Sequence, residues 1–356
     1  MAAVTTAAVT TLTLQRPDDW HVHLRDGAAL AAVARFTAER FGRAIIMPNL
    51  QPPITTTAQA AAYRERILAA LPRRSRFEPL MTLYLTNATA PKEIDRALDG
   101  GVVYGVKLYP AGATTHSSAG VTDIRDTYPT LARMEEVGLP LLVHGESPAA
   151  DIDVFDRESH FIDSILTPTL ERFPALKVVF EHITTARAVD FVWHAREGVA
   201  ATITPQHLLH NRNALFAGGI KPHFYCLPVL KREADRQALV RAATSGNPRF
   251  FLGTDSAPHE RGTKENACGC AGMFTAHAAL ELYAEIFDAA GRLDRLEGFA
   301  SHFGADFYGL PRHDETATLV KDPWTVPARL GFGDGELVPY RAGETIGWRL
   351  DSGAST

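Results

Sequence analysis

Leu139-Pro140-Leu141-Leu142-Val143-His144-Gly145, a segment of helical period over Phe161 to Phe173, and Lys177-Val178-Val179-Phe180-Glu181-His182 follow one another in mid-chain. Short apolar runs separated by a helix-length amphipathic segment are the pattern of consecutive βα units. The alternation continues outward in both directions. It predicts strands at Trp20 to Leu24, Ala44 to Met47, Pro79 to Leu85, Val103 to Tyr109, Leu141 to Gly145, Lys177 to His182, Val199 to Thr204 and Phe250 to Thr254. Helices are expected at Thr56 to Ala70, Pro91 to Leu98, Tyr128 to Val137, Phe161 to Phe173, Ala186 to Arg196, Lys231 to Thr244 and Ala276 to Ala289, with Thr89, Thr130 and Thr185 near their starts as caps. Eight parallel strands with outer helices point to an α/β fold, a TIM-type (β/α)8 barrel. Thr11 to Leu14 and the Pro/Gly-rich Asp322 to Gly347 read as short N- and C-terminal extensions of a single domain over residues 1–356.

Composition agrees and excludes several classes. The 356 residues are 46% hydrophobic and 22% charged, enough for one large core of the barrel type without disulfides. With 36 basic against 41 acidic residues there is no field to hold a nucleic acid or a lipid surface, which leaves a small-molecule substrate. Three cysteines, two of them one residue apart, argue against a disulfide framework and for a reducing, cytoplasmic setting. The first basic residue is Arg16, so the start lacks the charged region of a signal peptide, and no run approaches the roughly 20 apolar residues of a membrane span.

The chemistry falls at the predicted strand ends, where barrels of this type build their active sites. Alternation puts His21 and His23 on one face about 6.5–7 Å apart. Alone, such a pair reads equally well as packing histidines. His144 and His182 close two further strands, and four imidazoles at one barrel mouth favour a metal site. Asp255, after Phe250 to Thr254, could ligate metal and carry a proton, although an isolated Asp there reads as a turn cap. Lys107 lies inside Val103 to Tyr109, where a buried amine loses its charge readily; its carbamate could bridge two ions, and the alternative is a lysine snorkelling to solvent.

The segments His21-Val22-His23-Leu24-Arg25-Asp26-Gly27, Met47-Pro48-Asn49-Leu50, Gly105 to Pro110, Leu142 to Glu146, Glu181 to Thr184 and Gly253 to His259 resemble the dihydroorotase family of the amidohydrolase superfamily, over nearly the whole chain. His-x-His marks only the superfamily; Arg25-Asp26-Gly27, Met47-Pro48-Asn49 and Cys268 to Gly272 narrow the likeness to the homodimeric bacterial type. The resemblance implies two zinc ions per chain, one held by His21, His23 and Asp255, the other by His144 and His182, bridged by N6-carboxylated Lys107. It implies that Arg25, Asn49 and His259 bind substrate, together with His144 and main-chain groups near Leu227 and Ala271, and that Thr114 and Thr115 belong to a lid. The implied reaction is reversible closure of N-carbamoyl-L-aspartate to L-dihydroorotate in pyrimidine (UMP) biosynthesis, by attack of a metal-bridged hydroxide with Asp255 as general acid and base.

Other residues read more plainly. Cys268 and Cys270 are expected to be ordinary reduced thiols, Cys226 a buried one, and His207 and His210 packing or loop residues; Trp20, Trp193, Trp324 and Trp348 are expected to anchor core or interface. Two rival functions share the frame. Hydrolysis of a hydantoin, dihydropyrimidine or allantoin would need no carboxylate anchor at Arg25 and Asn49. A scaffold that has lost catalysis would show vacant ligand positions, and none is vacant.

Overall fold

The computed structural model describes residues 10–267 and 269–351; Cys268 lies outside them. Strand β1 (Thr11–Gln15) is followed by β2 (Asp19–Val22), β3 (Arg43–Ile46), β4 (Glu78–Tyr84), β5 (Val103–Leu108), β6 (Leu141–Val143), β7 (Val178–Phe180), β8 (Val199–Ile203) and β9 (Phe250–Leu252). Strands β2 to β9 form one parallel eight-stranded sheet in sequential order. It curls until β9 meets β2 just past its end, where Asp255 N donates to His21 O at 2.9 Å and His23 N to Ser256 O at 3.0 Å. The fold is the expected (β/α)8 barrel.

Two apolar layers hold it. Trp20, Ile45, Leu80, Leu142, Val179, Ala200 and Phe251, one from each of seven strands, fill the interior, and the helix Phe303–Tyr308 plugs its lower end, with Tyr308 stacked on Trp20 at 4.6 Å. The larger layer lies between the sheet and the outer helices. Parallel strands buried on both faces must be apolar throughout, which explains the unbroken runs in the sequence.

All eight predicted strands are present. The helices carry three corrections. Gly27–Arg40, capped by Asp26 through Gly27 N at 2.9 Å, was not predicted. The helix expected over Phe161 to Phe173 begins at Arg157 and passes through a wider turn at Ile162–Leu166. Thr185 caps its helix through Ala188 N, but Thr130 instead donates to Thr89 O of the preceding connection, and Ala90 precedes Pro91 without a side-chain cap. At the C-terminus, β10 (Thr316–Val320) pairs antiparallel with β1, and Asp322 to Gly347 holds short two-stranded ladders. Among the described residues no helix is long and apolar enough to cross a membrane.

Candidate active site

Strand ends bring the predicted ligands together. His21 lies in β2 and His23 just beyond it, with their Nε2 atoms 3.3 Å apart. Asp255 Oδ1 lies 3.3 Å from the first and 3.1 Å from the second. Asn49 Oδ1 accepts from His23 Nδ1 at 2.8 Å, so hydrogen bonding assigns the proton to Nδ1 and leaves the Nε2 lone pair facing Asp255. Below, Asp19 joins the two strands, accepting from His21 N at 3.1 Å, Thr254 N at 2.9 Å and Thr254 Oγ1 at 2.6 Å.

A second group lies beside the first. Ligand atoms of His21, Glu181 and His182 fall within 4.8 Å of one another, and the His144 ring is 4.9 Å from that of His182. Glu146 Oε2 lies 3.0 Å from His144 Nε2, which leaves His144 Nδ1 for a ligand. Lys107, in register with Leu142, points into the barrel, is fully buried and pairs its Nζ with Glu181 Oε2. A snorkelling lysine is therefore excluded.

Three of these positions bend the backbone out of strand geometry. Arg25, His182 and Asp255 have φ of 61°, 43° and 44°, the left-handed region that costs a non-glycine residue on the order of 1–3 kcal/mol. In a straight strand neighbours face opposite sides; because β7 stops at Phe180 and His182 turns left-handed, both Glu181 and His182 reach His21.

Burial sets the protonation pattern. It would lower His21, but Glu181 and Asp255 more than reverse this and raise it to about 9. His23 is lowered to about 4, chiefly by burial, and His182 falls well below the usual range for the same reason. Burial also lowers Lys107, with Glu181 opposing. Burial would raise Asp255, yet the hydrogen bond and charge of His21 hold it well below the carboxylate range. Burial pushes the Tyr109 hydroxyl well above its ordinary 10.

Above these groups is a small cavity. Its lining includes His21, His23, Arg25, Asn49, Thr114, Thr115, His144, His182, Leu227, Asp255, His259 and Ala271, every predicted site residue except Lys107, which lies beneath. Arg25 donates from Nε to Pro258 O at 2.9 Å, and its Nη2 is 3.0 Å from His259 Nε2, which is also 3.0 Å from Ala271 O. One imidazole nitrogen cannot accept from Arg25 and donate to Ala271 O at once, so one of those two groups is left for a ligand. Burial and Arg25 lower His259 to about 2, keeping it neutral. Ala271 N donates to Thr115 Oγ1 at 3.2 Å, which draws the Thr114–Thr115 segment over the site.

Sequence reading missed four side chains here. Glu181 and Glu146 flank predicted histidines and were legible as acids beside them. Tyr109 lines the cavity two residues beyond Lys107, on the face that alternation assigns to it. Lys264 Nζ donates to Tyr225 O, Cys270 O and Gly272 O at 3.0, 2.9 and 2.6 Å, fastening the loops that carry Leu227 and Ala271; no sequence signal indicates this. Gly272, at φ 150°, has no room for a Cβ, which would lie 2.6 Å from Ala257 O.

The remaining candidates fall elsewhere. His207 is bound to Thr204 Oγ1 and Pro228 O, as expected of a loop histidine, and neither it nor His210 lines the cavity. Asp26 pairs with Arg66 rather than Arg25. Cys226 is buried and unpaired, and Cys270 is a free thiol. Trp20 and Trp348 are core residues, but Trp193 is 42% exposed. A larger cavity, about 1040 Å³, lies beside Glu285, Lys321 and Arg341, whose charges pair with one another and with Asp288 and Glu344.

The amidohydrolase family model matches residues 18–314. The dihydroorotase of Laribacter hongkongensis is 65% identical over 341 residues, 96% of this chain and 99% of that protein. Among solved structures, dihydroorotase from Saccharomyces cerevisiae in complex with 5-fluoroorotic acid superposes with a TM-score of 0.89 at 35% identity, over 96% of this chain and 99% of that one. Dihydroorotase from Campylobacter jejuni does so at 0.88 and 38%, over 97% and 99%. A strand-end cluster of imidazoles and carboxylates, a matching family model and this degree of identity lead to one conclusion: the chain belongs to the amidohydrolase family and, within it, to the dihydroorotases.

Proposed function

We propose that this chain interconverts N-carbamoyl-L-aspartate and L-dihydroorotate, a step of pyrimidine (UMP) biosynthesis, using two zinc ions per chain. The observation that carries the reading is that the ligand cluster and the carboxylate-binding set, Arg25, Asn49 and His259, share one cavity. The donor set fits zinc: imidazoles and a carboxylate converge, and His182 Nδ1 is buried with no hydrogen-bond partner among the described residues. His21, His23 and Asp255 would hold one ion and His144 and His182 the other, with Lys107, once N6-carboxylated, between them. When bound, the ions supply an acidified water at neutral pH and polarise the amide carbonyl.

The chain's own groups do the rest. Arg25 offers a planar fork to the substrate's α-carboxylate, with Asn49 and His259 beside it and the main chain of Leu227 and Ala271 orienting the ring. Asp255, ionised in its cluster, takes the proton of the water that adds to the ring carbonyl. As the C–N bond breaks, it returns that proton to the nitrogen, which would otherwise leave as an anion. Ring closure runs the same steps backwards. Thr114 and Thr115 shield the site from solvent. By its likeness to the family the protein is a cytoplasmic homodimer, each subunit one domain over residues 1–356.

A spectrophotometric assay with L-dihydroorotate and elemental analysis test this together. Turnover with about two zinc per chain is expected. Good turnover of hydantoin with none of dihydroorotate would overturn the substrate, and sedimentation as a monomer would overturn the dimer.

A further inference from the structure

The Tyr109 phenol is 1% exposed, and its hydroxyl has no hydrogen-bond partner among the described residues. A buried donor left so is destabilising unless something binds it. Its place is fixed: Tyr109 O accepts from Val121 N at 2.8 Å, and the ring packs 5.1 Å from Tyr84 and 6.0 Å from His144. The side chain lines the same cavity as Arg25, Asn49 and Asp255, and it is close enough to Arg25 and Asp255 for their charges to bear on it.

We propose that the Tyr109 hydroxyl is a substrate-binding donor, giving its hydrogen bond to an anionic oxygen of the bound substrate beside Arg25. This rests on the dihydroorotase reading. A donor that meets substrate and transition state alike changes binding and leaves turnover nearly intact. A hydrogen bond to a charged group is worth about 1.5–3 kcal/mol, so its loss weakens binding roughly 10- to 100-fold.

The test is Tyr109→Phe, which keeps the ring and its packing, in the zinc-loaded protein with L-dihydroorotate as probe. KM is expected to rise roughly 10- to 100-fold with kcat within about threefold and zinc content unchanged. The melting temperature without substrate should hold or rise, because an unpaired polar atom has been removed. Unchanged KM overturns the proposal. So does a lower melting temperature with KM unaltered, which would mark a structural hydroxyl. Wild-type protein assayed alongside separates the two readings: an inactive wild type overturns the dihydroorotase reading and this inference with it, whereas an active wild type matched by an equally efficient variant overturns Tyr109 alone.

Discussion

At the N-terminal end of the barrel, Asp18 accepts from Arg43 at 3.1, 3.2 and 2.6 Å and lies 2.7 Å from His313 Nε2, and Arg43 reaches on to Pro311 O at 2.9 Å. At the C-terminal end, His21, His23 and Asp255 crowd within 3.3 Å and Glu181 Oε1 lies 3.0 Å from His21 Nδ1, while His182 Nδ1 has no hydrogen-bond partner among the described residues. Both ends bury charge. The lower cluster is closed on itself, whereas the upper one keeps a buried imidazole nitrogen of His182 without a partner among the described residues. Asp18 and Arg43 lie at strand beginnings, where they tie β2 to β3; the upper groups lie at strand ends, where left-handed backbone aims them inward. The first arrangement serves stability and the second chemistry.

Substitutions can break that division. Asp255→Asn should lower kcat about 10²- to 10⁴-fold with little change in unfolding midpoint; a variant that fails to fold would make Asp255 a structural residue. Lys107→Ala should likewise lose nearly all activity, and partial rescue by short carboxylic acids is expected, since they can replace the bridge; wild-type rates in the variant would remove Lys107 from the site. Asp18→Ala should do the reverse. Removing the partner of buried Arg43 should cost about 3–5 kcal/mol by urea denaturation while kcat per folded molecule stays the same. Equal losses of stability and activity would erase the distinction between the two ends.

Smaller effects sharpen it. Arg25→Met should raise KM roughly 10- to 100-fold and spare kcat, and an unchanged KM would remove Arg25 from substrate binding. His277, buried against Phe274 away from both clusters, is lowered by burial and then Arg40 from 6.5 to about 3. Its folded pKa is below its unfolded one, so the unfolded chain binds the extra proton. Its contribution to stability is complete above pH 6.5 and is lost as pH falls toward 3. In His277→Phe, the decline in unfolding free energy from urea titration between pH 7 and 5 should be shallower, by at most about 1.4 kcal/mol per pH unit. An identical slope would mean that His277 does not titrate in this way.

How much of this was legible in the sequence differs between fold and site. The strands were, because a sheet covered on both faces demands unbroken apolar runs and the barrel repeats that demand eight times. Gly27–Arg40 was not, since its Ala-rich sequence gives little contrast between the face that buries Leu30, Val33 and Ala34 and the face that does not. The ligands were legible because they end strands. Glu181 shows the limit: alternation from Val179 turns it inward, but that His182 also turns inward depends on a left-handed backbone that no residue type there requires. Lys264 is further from reach, because its three carbonyl acceptors come from two loops brought together only by the fold.

The central claim is that four imidazoles, Asp255 and an altered Lys107 surround a pair of cations. A crystal structure of the zinc-loaded protein, with anomalous scattering recorded at the zinc edge, tests it most directly. The account predicts two peaks per chain, one against His21, His23 and Asp255 and the other against His144 and His182, with density for a carboxyl group continuing from Lys107 Nζ to both. A single peak, peaks remote from these side chains, or Lys107 still paired with Glu181 in the loaded protein would contradict it.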